Sequence, residues 1–102
     1  MKTESIARFF KGKELQVEGY KVKFRQANSM STLVGDTSDL FLEASVYRLS
    51  GTYILTTNIL INNPEKLTVE DLYTEISNQL QETVVDQIKT NVALSRYFKE
   101  VE

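Results

Sequence analysis

Three carboxylates crowd the start of one segment: Glu70, Asp71 and Glu75 fall within a few residues of each other. Carboxylates held together can share a proton, push their pKa values apart and act as general acid and base. The next requirement fails, because the 102-residue chain contains no histidine and no cysteine. The commonest general base, the commonest metal ligand and the thiolate nucleophile are missing together. Serine and threonine are plentiful, but without histidine the usual nucleophile–base pair cannot be built. The four glycines, Gly12, Gly19, Gly35 and Gly51, stand isolated and form no phosphate-binding loop, and no EF-hand spacing offers a calcium site. Helix capping and solvation account for the three carboxylates. The expectation is a non-enzyme with no catalytic residues, no metal and no cofactor.

The element that carries those carboxylates is the clearest in the chain. Thr68 is an N-cap, able to accept from the backbone N–H of Asp71, with Glu70 and Asp71 at the positive end of the helix dipole. Leu67 and Leu72 have the spacing of a hydrophobic staple. Val69, Leu72, Tyr73, Ile76, Leu80, Val84 and Ile88 recur three or four apart and make one apolar stripe. Beyond Ile88 the signal passes through Val92, Leu94, Tyr97, Phe98 and Val101. Either the helix continues to about Lys99, or it breaks at Thr90-Asn91 and restarts. A continuous helix would outrun the domain, so residues 89–102 are expected to project or to oligomerise.

The stripe needs a sheet to cover. From Lys13 to Arg25 the apolar residues alternate but change parity between Val17 and Tyr20; a turn at Glu18-Gly19 resolves this by pairing Val17 with Tyr20 and Leu15 with Val22. A second hairpin over 40–61, turning at Ser50-Gly51, sets Val46 opposite Leu55, Ala44 opposite Thr57, Leu42 opposite Ile59 and Leu40 opposite Ile61. Its other face carries Phe41 opposite Leu60 and Tyr47 opposite Ile54, large side chains where water is expected. Either the N-terminal helix, capped by Thr3 and carrying Ile6, Phe9 and Phe10, covers them, or a second subunit does, or they bind a partner. Residues 27–39 lack periodicity and read as a surface loop, onto which Met30, Leu33 and Val34 could fold or which they could offer to a partner. Pro64 ends the sheet. The fold class is therefore α+β over a single domain, 1–102: a short N-terminal helix, a four-stranded antiparallel sheet from two hairpins, and one or two C-terminal helices on one sheet face.

Composition sets the remaining expectations. No apolar run approaches the roughly 20 residues of a membrane span, the start of the chain lacks a signal-peptide core, and the absence of cysteine suits the cytoplasm. Residues 1–27 hold seven basic and three acidic side chains (+4), and residues 28–102 hold five basic and eleven acidic (−6). The main reading is a protein-interaction module, expected to be a homodimer, with Phe41, Tyr47, Ile54, Leu60, Leu94, Tyr97, Phe98 and Val101 as binding candidates. The alternative is single-stranded nucleic-acid binding through Lys11, Lys13, Lys21, Lys23 and Arg25 beside sheet aromatics. Net charge −2 and the acidic helix weigh against that alternative.

Overall fold

The computed structural model describes residues 1–31, 35 and 37–101. Helix α1 (Thr3–Phe10) leads into strands β1 (Glu14–Val17), β2 (Tyr20–Ser31), β3 (Ser38–Arg48) and β4 (Tyr53–Ile61), and a 3₁₀ turn (Pro64–Lys66) precedes helix α2 (Val69–Ser95). The strands form one antiparallel sheet in sequential order. This is the expected α+β architecture.

The first hairpin turns where the residue pattern requires, and the second keeps its expected pairing as far as Val46. Val17 pairs with Tyr20 across Glu18-Gly19, both of which have positive φ, the conformation of a type I′ turn. From Leu40↔Ile61 to Val46↔Leu55 the second hairpin follows the expected register. Inward-facing Val22, Phe24, Leu40, Leu42, Ala44, Val46 and Ile59 are buried, and Leu72, Ile76, Leu80 and Val84 of α2 close over them. Thr68 caps α2 as expected, accepting from the Asp71 amide at 3.1 Å.

Four expectations change. The 27–39 loop is shorter than expected: residues 27–31 continue β2 and residues 38 and 39 begin β3, paired down to Ser31↔Ser38. The cause is a bulge at Arg25, between Phe24 and Gln26, which reverses the parity so that Phe24 and Ala27 share the buried face. A constant period of two cannot be read across such a shift. Met30 is an exposed strand residue, and Leu33 and Val34 lie outside the described residues. A second irregularity sets Tyr47 opposite Tyr53, not Ile54; Ile54 is the extra residue and packs against the core, while the two tyrosine rings meet edge-on at 5.6 Å.

Thr3 is not the cap of α1. Lys2 takes that position, and Thr3, 1% exposed, donates from its backbone N–H (3.1 Å) and its hydroxyl (2.9 Å) to Oε2 of Glu65. A carboxylate 62 residues away thus satisfies the helix start, joining α1 to the turn that precedes α2. These bonds, with help from the N-terminal amine and Lys2, hold the Glu65 carboxyl below its ordinary range. Finally, α1 lies on the same sheet face as α2, with the Phe10 and Phe24 rings 4.9 Å apart, so α1 does not cover the opposite face.

Helix α2 is unbroken at Thr90-Asn91 and ends at Ser95. Its 27 residues rise roughly 40 Å. The molecule is 51 Å long but only 26 Å and 22 Å across, so the last turns extend past the sheet. No helix among the described residues is long and apolar enough to cross a membrane.

Candidate functional site

Glu70, Asp71 and Glu75 sit exposed on the first turns of α2, where solvent holds them apart from any enclosed chemistry. Among the described residues no three acidic side chains gather in a way that could hold a metal ion. The features that stand out are apolar.

The first is a groove of about 490 Å³ on the helical side of the sheet, between α1 and the start of α2. Ile6 and Phe9 form one wall, Leu15 and Val17 of β1 with Phe24 form the floor, and Val69, Leu72, Tyr73 and Ile76 form the other wall. The local sequence explains why it stays open. β1 is only four residues long and carries no helix of its own, while α1 packs over β2 and β3 and α2 over β4. The two helices leave a gap above the short edge strand. Lys13 caps one rim, its ammonium 3.5 Å from the centre of the Phe9 ring. At another the Tyr73 hydroxyl donates to Glu18 at 3.1 Å, and partial burial followed by that carboxylate raises the phenol's pKa. Phe9 and Phe10, adjacent in sequence, both line the groove, and Phe10 also packs against the core.

The second feature is the far end of α2 with the residues that follow it. Leu94 is 52% exposed, Phe98 72%, Tyr97 84% and Val101 97%. Val92 adds to them. The core stripe ends at Ile88 because no sheet remains beneath the helix. These four binding candidates are thus brought together on one projecting segment.

The third is the sheet face opposite the helices. Phe41 and Tyr47 lie half-buried there and Leu60 is exposed, so three of the four sheet candidates share this face and Ile54 leaves it. Between them runs a polar network. Ser45, fully buried, accepts from Arg25 Nε at 2.7 Å and shares a hydrogen bond with Thr56 at 2.9 Å; Thr56 in turn meets the Tyr53 hydroxyl at 2.9 Å. Lys21 pairs with Glu14 at 3.2 Å. Of the five cations expected to track phosphates, Lys11 and Lys13 lie on the α1–β1 connection, with Lys13 turned to Phe9. Lys21 and Arg25 are engaged with neighbours, and Lys23 stands exposed. They do not form one continuous basic track.

The groove was the part missed by residue patterning. Its side chains all read as core, and only the shortness of β1 hinted that part of the core would be left uncovered. Comparison with protein-family models, with curated proteins and with solved structures found no match to this chain.

Proposed function

We propose that this chain is a non-catalytic protein-interaction module of the cytoplasm that engages its partner through the groove between α1 and α2 and through the projecting end of α2. One observation carries this reading. A chain of this size leaves part of its apolar core open beside one end of α2 and exposes apolar side chains at the other end. Exposed contiguous apolar surface is costly in an isolated protein and marks contact sites. An apolar groove flanked by helices suits an amphipathic helix, read through anchors three or four residues apart. Absence of histidine and cysteine supports a binding role over a catalytic one, and absence of cysteine suits a reducing compartment. Single-stranded nucleic-acid binding draws less support, since the basic side chains are dispersed and partly paired and the open face also carries Glu14, Asp39 and Glu43.

The test is site-specific photo-crosslinking. A benzophenone amino acid replaces Phe9 in the groove, Tyr97 on the helix end, or Thr52 in the β3–β4 turn as a control, and adducts formed in extracts of the source cells are identified by mass spectrometry. A defined protein adduct at Phe9 or Tyr97 and not at Thr52 is expected. No adduct, or the same adducts from Thr52, sinks the proposal.

A further inference from the structure

We infer that the free edge of β4 takes an additional strand from another protein, an extended segment with lysine or arginine at alternate positions. This surface is separate from the groove and from the end of α2. The two edges of the sheet are built differently. β1 is four residues long, starts at Glu14 and lies between Lys13 and Glu18, so it is short and flanked by charge, as guarded edges are. β4, the opposite edge, runs nine residues, YILTTNILI, with no charge and no proline. Its backbone is placed to pair. The Leu60 carbonyl turns away from β3, where it accepts from the Gln79 side chain at 3.0 Å. Two-residue alternation turns the N–H and C=O groups of Asn58 and Thr56 the same way. All three residues are exposed, and among the described residues no other backbone segment bonds to their outward groups.

The helix beside that edge selects the occupant. Glu75, Gln79, Glu82 and Asp86 recur four, three and four apart and so share one face of α2. Gln79 brings that face against the edge at Leu60. The three carboxylates are exposed and enter no ion pair among the described residues. Lys89, the one cation of α2, follows Asp86 by three residues and is likewise outside any ion pair, so the face stays acidic. Side chains of an added strand alternate between the two faces of the sheet. Those on the helical side end beside these carboxylates, which suits the long stems and charged tips of lysine and arginine. Those on the open side meet Thr56, Asn58 and Leu60, which suits neutral side chains, with Glu43 one strand further in. A second copy fits less well: joining β4 to β4 about a two-fold axis turns the acidic face of one α2 toward that of the other.

The test is an NMR titration of the full chain with two peptides about nine residues long, one alternating lysine with threonine and one alternating glutamate with threonine. The lysine peptide is expected to shift the amide signals of Thr56, Asn58 and Leu60 and to slow their hydrogen exchange, and the glutamate peptide is not. Asn58→Pro removes an outward N–H without touching the ladder to β3, and it weakens binding by about tenfold or more. Glu82→Lys/Asp86→Lys, at exposed positions, leaves β4 intact and reverses the preference toward the glutamate peptide; it decides the matter if Asn58→Pro does not fold. No shift at Thr56, Asn58 and Leu60 with about 1 mM lysine peptide overturns the proposal. Equal response to both peptides, or an unchanged preference in the helix variant, overturns it as well. So does a free chain that light scattering shows as a dimer and that Asn58→Pro makes monomeric, since the occupant is then a second copy. None of these outcomes alters what Phe9 and Tyr97 crosslink to, so the groove reading stands or falls separately.

Discussion

Truncating two leucines on the same helix separates the part of α2 that builds the domain from the part that leaves it. Leu80 is 3% exposed and belongs to the core cluster; Leu94 is 52% exposed and lies outside it. Leu80→Ala removes the branched end of a buried side chain. Lost transfer free energy of about 2.4 kcal/mol, at ~0.8 kcal/mol per carbon, grows to about 3–4 kcal/mol once the cavity left behind is included. Domains of this kind are stable by about 5–15 kcal/mol, so the loss is a large share of the total. The same replacement at Leu94 opens no cavity and costs about 0.5 kcal/mol or less. Urea unfolding at low micromolar concentration, followed by far-UV circular dichroism, reads the difference. With a slope of about 1.5 kcal/mol/M, Leu80→Ala lowers the midpoint by about 2 M and Leu94→Ala by about 0.3 M, both with unchanged slope. Equal shifts for the two variants at low concentration would refute the reasoning, since they would mean that the end of α2 is packed within the monomer.

Other outcomes follow from the fold. The Thr3–Glu65 contact makes stability depend on pH: a carboxylate held below its ordinary pKa stabilises the fold above that value and ceases to as pH falls through the lowered one. Glu65→Gln is therefore less stable than wild type at neutral pH and converges on it in acid. Thr3→Val and Glu65→Gln are also non-additive when combined, as thermal melts of the four proteins would show. Gly19→Ala costs about 1–2 kcal/mol by denaturant titration, from backbone strain alone, because φ is +80° and nothing lies within 4 Å of the added carbon. Ser45→Ala costs about 1 kcal/mol in the same titration; it removes the acceptor for Arg25 and the partner of Thr56, both of which water can reach.

Local patterning exposed those elements whose signal is uninterrupted. Thr68, the staple and the apolar spacing from Leu72 to Ile88 identify α2, since helix periodicity is set by neighbours on the same turn. Glu18-Gly19 and the alternation around it identify the first hairpin and its register. The misread strand positions share a cause. Alternation reports a face only while the register holds, and a bulge resets it: Arg25 disguised the second half of β2 as loop, and the shift at Ile54 moved that residue from the open face to the core. Among the binding candidates, Leu94, Tyr97, Phe98 and Val101 were legible as apolar residues beyond the reach of a sheet. The groove was not legible, because an apolar residue on a half-covered core looks like one on a covered core.

From the order of its residues alone, this chain specifies two hairpins, a capped amphipathic helix and an α+β fold, and it withholds histidine and cysteine chemistry. Each of these depends on side-chain types within a few positions of each other, or on their absence. Only the tertiary structure decides that Glu65 caps α1, that both helices share one sheet face and that a groove remains between them. Those outcomes depend on where separate elements come to rest, which is set by packing between residues far apart in sequence and leaves no local period to read.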